Sequence, residues 1–124
     1  MATQLKSRNP LVIKNGIEGQ GVFAAQRINR NTIIFKMHGD FLTSPTQTSV
    51  QIGDQMHIED NIAGLVNHSC HPTAKVDRQL HAFVSLRDIE KNEEITFDYT
   101  LNEDKLAAPF ICQCCGQMIN GKNC

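Results

Sequence analysis

The chain has 124 residues and a formal net charge of −1, with 12 Lys and Arg against 13 Asp and Glu. This length predicts one domain, large enough for a hydrophobic core but near the size at which a bound metal or cofactor adds useful stability. Charges of both signs are scattered along the chain, so no basic patch indicates direct nucleic-acid binding. No apolar run approaches membrane-spanning length, and residues 1–10 lack the apolar segment of a signal peptide. We therefore expect a soluble, intracellular protein with no membrane contact.

The cysteines are unevenly distributed. Four of the five fall in the last 13 residues: Cys112, Cys114, Cys115 and Cys124. The pair Cys112-Gln113-Cys114 is spaced too tightly for an ordinary structural disulfide. Clustered thiols in a chain that is not exported indicate a metal site.

The sequence reads mainly as short strands separated by turns. Stretches rich in β-branched and aromatic residues predict strands at 11–13, 22–24, 32–35, 50–52, 56–58, 74–76 and 83–86. In a last strand, Ile95, Phe97 and Tyr99 are expected on one face. Asn29 to Asn31 and the Gly19-Gln20-Gly21 segment predict turns. Helical structure is limited to a short stretch capped by Asp60 or Asn61 and to one or two turns within 101–108.

Several motifs together resemble the SET domain, the fold of protein lysine methyltransferases. They appear in the family's order and are Gly19-Gln20-Gly21-Val22-Phe23-Ala24, Asn67-His68-Ser69-Cys70 with Pro72, Glu93-Glu94-Ile95-Thr96-Phe97-Asp98-Tyr99, and the cysteine-rich tail. Taken alone, the glycine segment would be an ordinary strand-joining turn. The ordered set resembles a small stand-alone SET domain with a divergent post-SET tail.

This resemblance implies a mainly β fold of several small, short-stranded sheets, with a knot-like loop crossing and few short helices. It divides the chain into an N-terminal extension at 1–10, a SET domain at 11–108 and a post-SET-like tail at 109–124. The implied activity is S-adenosylmethionine-dependent methyl transfer to the ε-amine of a lysine in a protein substrate. Histones, another basic chromosomal protein or a ribosomal protein are the candidate substrates.

The resemblance also assigns site residues. Those expected to bind S-adenosylmethionine are Gly19, Gln20, Gly21, Val22, Asn67, His68, Tyr99 and Phe110. Tyr99, the only tyrosine of the chain, matches the family's catalytic tyrosine and would align the substrate amine with the methyl group. His68 is expected to position neighbouring groups rather than to act as a general base. Phe97 matches a position that shapes the lysine channel, and a phenylalanine there implies di- or trimethylation.

A structural zinc is the second implied ligand. In zinc-bearing members of the family, three tail cysteines join the cysteine of the central motif in a tetrahedral site. Cys70, Cys112 and Cys114 match three of these positions. The remaining ligand would fall at Ile119, which is not a cysteine, so Cys124 is favoured and Cys115 is the alternative. A disordered tail without metal is the competing interpretation.

Three departures from the family pattern keep other functions open. Asn92 replaces a common glycine, and as an asparagine it is expected to keep the left-handed turn. Gly64 replaces a common arginine and Thr73 a common asparagine. Gly64, Thr73 and the broken zinc spacing leave as an alternative a SET-like module that binds cofactor or peptide without turnover. A small zinc-binding interaction domain with no cofactor would explain the tail but not the Phe97-Asp98-Tyr99 segment.

Overall fold

A computed structural model describes residues 10–16, 19–112 and 115–120. Strands dominate these ranges, and helical structure is limited to a 3-10 turn at Ala63–Leu65 and a four-residue α-helix, α1, at Tyr99–Asn102. The strands in chain order are β1 Leu11–Gly16, β2 Gly19–Ala24, β3 Ile33–Lys36, β4 Asp40–Leu42, β5 Val50–Gly53, β6 Met56–Glu59, β7 Asn67–His68, β8 Ala74–Asp77, β9 Ala82–Ser85, β10 Glu94–Phe97, β11 Phe110–Ile111 and β12 Met118–Ile119.

The strands form four small sheets rather than one large one. The largest has the order β1-β2-β10-β7, and the others are β3-β9-β8, β4-β6-β5 and the hairpin β11-β12. Most neighbours are antiparallel, whereas β7 runs parallel to β10. The predicted fold class, mainly β with small sheets and few short helices, is confirmed.

The sheets pack around one apolar core. Fully buried side chains from several sheets meet there, including Val22, Ile58, Phe83 and Ile95. Phe83 stacks on Phe35 with ring centroids 5.0 Å apart and meets the edge of Phe97 at 5.2 Å. Because Phe97 ends β10, the core reaches directly to the segment that carries Tyr99.

The segment from Asn67 to Thr73 crosses the molecule along β10. Asn67 pairs with Thr96 and His68 with Phe97, and the Ser69 N–H donates to the Phe97 carbonyl at 3.2 Å. Thr73 continues the contact, since its hydroxyl donates to the Glu94 carbonyl at 3.0 Å and accepts from the Thr96 N–H at 2.9 Å. Thr73, which departs from the family pattern, thus holds the end of the crossing segment in place.

Local predictions are confirmed at several turns. Asn31 and Asn92 have φ of 62° and 73°, the left-handed conformation expected of both. Asp60, rather than Asn61, caps the short helical stretch, because one of its oxygens accepts from the Ile62 and Ala63 N–H groups at 2.7 and 2.9 Å. The predicted hairpin of 50–52 with 56–58 is the pair β5 and β6.

Other local predictions are wrong. The Gly19-Gln20-Gly21 segment lies inside β2, and Gly16 faces Gly19 across the β1–β2 pair. The last long strand ends at Phe97, so Tyr99 opens α1 instead of continuing the strand. That helix overlaps the helical turns predicted within 101–108 at Leu101 and Asn102 and does not continue beyond them. Four short strands, β4, β7, β11 and β12, were not predicted.

In the described ranges, no helix combines the length and apolar character needed to cross a membrane.

Candidate active site

Tyr99 is held at both ends. Asp98 caps α1 by accepting from the Thr100 N–H at 2.9 Å, which turns the chain sharply after β10. The Tyr99 N–H donates to His68 Nδ1 at 3.0 Å, and the phenol hydroxyl donates to the Val66 carbonyl at 2.8 Å. Both acceptors belong to the crossing segment or the residue before it. The ring orientation is therefore fixed by the crossing rather than by α1 itself.

His68 is a buried, neutral positioning group. Burial lowers its pKa, although Asp98 lies 3.7 Å from Nδ1 and acts in the opposite direction. Since Nδ1 accepts the Tyr99 N–H, the neutral ring carries its proton on Nε2. Nε2 lies 3.6 Å from Cys70 Sγ and donates toward it. The imidazole thus links the tyrosine to the cysteine of the same motif.

An aromatic cluster surrounds Tyr99. Its ring centroid lies 4.7 Å from that of Phe97, 5.2 Å from His68 and 5.8 Å from Phe110. Phe110 comes from β11 in the tail and also meets the edge of His68 at 5.9 Å. The pairs with His68 and Phe110 are edge-to-face, an arrangement that adds stabilisation beyond the area that the rings bury. The tail therefore supplies one wall of the site.

Asn67 presents an acceptor to any ligand. Its Nδ2 donates to the Gln20 carbonyl at 3.1 Å and to Glu94 Oε2 at 2.9 Å, which uses both amide hydrogens. The atom left for a ligand is Oδ1, which can only accept. A Cβ on Gly21 would lie 2.6 Å from Glu94 Oε2 and 3.1 Å from Asn67 Nδ2. The missing side chain of Gly21 thus makes room for this polar pair.

Two adjoining cavities meet at Tyr99. One is a cleft of about 490 Å³ whose lining includes Asn67, His68, Tyr99 and Phe110. The other is a narrow cavity of about 40 Å³ lined by Phe97, Tyr99 and several small or aliphatic residues. Tyr99 stands in the wall common to both. The cleft is within the size range of sites that hold small molecules and cofactors.

The structure brings together only part of the predicted cofactor set. Asn67, His68, Tyr99 and Phe110 line the cleft, whereas Gly19, Gln20, Gly21 and Val22 are not among its lining residues. Val22 is fully buried in the core. The glycine strand touches the site through the Gln20 carbonyl, which accepts from Asn67.

The polar run at 43–49 predicts a loop, but sequence reasoning did not connect residues 46–49 of this loop with the site, where they line both cavities. Thr46 and Thr48 donate their hydroxyls to the two oxygens of Glu59, and this pair of bonds fixes the loop. Gly64 packs against the loop so closely that a Cβ would lie 2.8 Å from the Thr48 carbonyl oxygen. At Gly64, where the family commonly has arginine, the absence of a side chain therefore leaves the space that this loop occupies.

Cys70 and Cys112 lie close together next to His68. Their sulfurs are 3.6 Å apart, too far for a disulfide, whose sulfurs are about 2.05 Å apart. Two thiolates on one tetrahedral zinc at about 2.3 Å would be separated by about 3.8 Å, so this pair fits zinc. Of the other predicted ligands, Cys114 and Cys124 lie outside the described residues, and the alternative ligand Cys115 is exposed.

His68 Nε2 completes a group of three potential metal ligands with the two sulfurs, all within 4.8 Å of one another. A ligating imidazole normally donates its second N–H and offers a lone pair to the metal. In His68 the second nitrogen, Nδ1, accepts instead, so Nε2 carries a hydrogen. The ring thus acts as a donor to the Cys70 sulfur, and the chemistry of a metal at this place falls to the thiols.

Comparison with known proteins agrees with this geometry. The SET domain family model matches residues 19–100, which is more than half of the chain. The chain therefore belongs to the SET domain family.

Several curated proteins are similar to it. Histone-lysine N-methyltransferase SUV39H1 of Xenopus laevis is 29% identical over 116 residues, which cover 69% of this chain and 28% of the relative. The H3 lysine-4 specific enzyme of Neurospora crassa is 30% identical over 128 residues, covering 82% of the chain and 10% of that protein. The H3 lysine-36 specific enzyme of Saccharomyces cerevisiae is 30% identical over 125 residues, covering 80% of the chain and 17% of that protein. The chain thus spans less than a third of these relatives.

We expect Gly64→Ala to displace the loop at 46–49, because the new Cβ would overlap the Thr48 backbone. Such overpacking costs about 1–3 kcal/mol. Urea denaturation measures the loss of unfolding free energy, and amide chemical shifts of Thr46 to Ser49 report the displacement.

Gly53→Ala is the matched control, since a Cβ there meets only Met56 Cβ at an ordinary 3.6 Å. Equal unfolding free energies for the two variants would contradict the close packing at Gly64.

Proposed function

We propose that the chain is an S-adenosylmethionine-dependent protein-lysine N-methyltransferase. The observation that carries this proposal is the position of Tyr99, in the wall shared by a cofactor-sized cleft and a narrow cavity. Methyl transfer to lysine needs two openings of this kind, one for the methyl donor and one for the side chain that receives it. Family membership and the similarity to histone-lysine methyltransferases support the same reaction class.

The residues of the cleft fit S-adenosylmethionine. Asn67 Oδ1, the acceptor left on that side chain, suits the ammonium of the cofactor's amino-acid end. The aromatic edges of Phe110 and His68 form an apolar wall. When bound, S-adenosylmethionine supplies an electrophilic methyl group on a positively charged sulfur. Asn67, His68 and Phe110 would hold it, together with the backbone of the Gly19 to Val22 strand.

Tyr99 would orient the acceptor amine. Its hydroxyl hydrogen is used by the Val66 carbonyl, so the phenol oxygen faces other partners as an acceptor. An acceptor suits an amine N–H and also the polarised hydrogens of a methyl group on sulfur. His68 keeps the start of α1 in place, and Phe97 packs beside the phenol ring. Together these contacts supply the alignment on which an in-line displacement depends.

A protein with an exposed lysine is the proposed substrate. The named relatives act on histone lysines, including H3 lysine 4 and H3 lysine 36, so histones are the first candidates to test. A basic chromosomal or ribosomal protein is the next class. The alternative, a degenerate module, would bind the cofactor without transfer.

Tyr99→Phe should bind S-adenosylmethionine nearly as well as wild type but transfer methyl about 10²–10⁴-fold more slowly, because the orienting hydroxyl is lost. Calorimetry measures the binding, and tritium incorporation into core histones and a cell lysate measures transfer. Thr43→Val, which removes a hydroxyl from an exposed residue outside both cavities, is the control.

Absence of cofactor binding in the wild type would reject both the enzyme and a degenerate module that binds the cofactor. Cofactor binding without methyl transfer would support the degenerate module instead of the enzyme.

Phe97 leads us to propose that the products include di- or trimethyl-lysine. The ring is buried against Phe83 and Tyr99 and offers no hydroxyl to hold a water beside the amine. Under excess cofactor, mass spectrometry should show higher methylation for wild type and a shift toward monomethyl-lysine for Phe97→Tyr. Wild-type products that stop at one methyl group would refute this.

We also propose a structural zinc held by Cys70, Cys112, Cys114 and Cys124. Protein purified without added zinc should contain about one zinc per chain, and Cys70→Ser or Cys112→Ser should lose most of it, because each removes a thiolate ligand. Elemental analysis by plasma mass spectrometry gives the ratio.

Cys115→Ser is the matched control and should keep its zinc. Loss of zinc in this variant would assign the fourth position to Cys115, and metal-free wild-type protein would reject the site altogether.

A further inference from the structure

Glu103 is a buried carboxyl group in the wall of the narrow cavity. It follows Tyr99 by four residues, and its N–H donates to the Tyr99 carbonyl at 2.8 Å. Residues four apart on a helical turn lie on the same face. Glu103 ends this turn, and both it and Tyr99 line the narrow cavity, although Glu103 belongs to none of the motifs that define the site.

One oxygen of Glu103 is fixed by structural hydrogen bonds. Oε2 accepts from the Gln51 N–H at 2.9 Å and from Asn102 Nδ2 at 2.7 Å. Asn102 Nδ2 also donates to the Gln51 carbonyl at 3.0 Å. Gln51 lies on β5, which is an edge strand of its sheet. The carboxyl group is thus anchored to that edge and cannot turn away.

The other oxygen, Oε1, is the carboxyl oxygen left for a ligand. It accepts no hydrogen bond from the residues that the structure describes, whereas Oε2 accepts two. Because Glu103 lines the narrow cavity, Oε1 is the oxygen with which a ligand in this cavity would bond.

The charge of this oxygen has no counterpart in the cavity. Glu103 is the one ionisable acid or base, apart from the Tyr99 phenol, among the described residues of the lining, and the rest is mostly small or aliphatic. Burial, and to a smaller extent the charge of Asp104, raise the pKa of Glu103, while the bonds from Gln51 and Asn102 and the charge of Arg78 act in the opposite direction. A carboxylate in such surroundings gains most from a cation with an apolar stem.

We propose that Glu103 binds the ammonium group of the substrate lysine in the narrow cavity and so selects an alkylammonium side chain. This proposal rests on the proposed function. The cavity, about 40 Å³, has room for roughly three or four water-sized groups at about 10–15 Å³ each. This room suits the end of a lysine side chain, whose ε-amine is protonated in neutral solution. Before methyl transfer, the docked ammonium passes one proton to the Glu103 carboxylate or to water, which leaves the neutral amine as the nucleophile.

The test uses two small probes of equal length, n-butylammonium chloride and 1-butanol, titrated into the protein at constant ionic strength. Nuclear magnetic resonance follows both the cavity resonances and the Glu103 carboxyl carbon. Wild type should bind the ammonium about tenfold or more tightly than the alcohol, and Glu103→Gln should lose that preference. The amide oxygen of glutamine can still accept from Gln51 and Asn102, so this variant should fold.

Glu90→Gln is the matched control, because it removes an exposed carboxylate that pairs with Arg27 away from the cavity. It should keep the wild-type preference. Thermal denaturation and 1-butanol binding verify that Glu103→Gln retains its fold and cavity. If the folded Glu103→Gln variant prefers the ammonium as strongly as wild type does, or if wild type shows no preference, the proposal is overturned.

Methyl transfer is assayed separately. With an active wild type, Glu103→Gln should raise the KM for a histone substrate more than it lowers kcat. A wild type that transfers no methyl but shows the Glu103-dependent ammonium preference would reject the proposed function and keep the recognition of alkylammonium groups.

Discussion

The short parallel pairing of β7 with β10 holds the site together. Only Asn67 and His68 form β7, yet successive residues of a strand point to opposite faces, so their side chains reach different partners. Asn67 meets Glu94 and the glycine strand, whereas His68 meets Tyr99 and Cys70. One register thus sets the wall of the cleft, the start of α1 and the position of a thiol. A slip by one residue would exchange all of these contacts.

Missing side chains are as important here as those present. Gly21 lets the Asn67–Glu94 pair lie against β2, and Gly64 lets the loop at 46–49 close over two cavities. In both places the close approach serves packing between protein segments. The binding surface is then built from Asn67, His68, Tyr99 and Phe110, whose side chains are held by this packing.

Sequence patterns predicted the features that depend on neighbouring residues. Runs of β-branched and aromatic residues predicted most of the longer strands, and asparagine chemistry predicted the backbone at Asn31 and Asn92. Strands of two residues such as β7 and β11 carry no periodicity, because they exist only through partners distant in the chain. Alternation also placed Tyr99 on a strand, where the capping residue Asp98 was the signal that the strand had ended. The motifs identified Asn67, His68, Tyr99 and Phe110. Glu103 lies outside the motifs, and its spacing of four residues from Tyr99 became informative only when the structure showed a helical turn between the two.

The two walls of the cleft come from different parts of the chain, one from the tail and one from the main sheet. Phe110 lies on a hairpin of two-residue strands, with Ile111 and Met118 largely exposed, whereas Asn67 and His68 belong to the main sheet. Phe110 and Cys112 are two residues apart, so the aromatic wall of the cleft and the thiol pair belong to the same short segment. The buried side chain of Ile119 and the Leu106 N–H, which donates to the Asn120 carbonyl at 2.8 Å, attach this hairpin to the rest of the chain. The aromatic wall and the thiol pair therefore depend on the same two attachments.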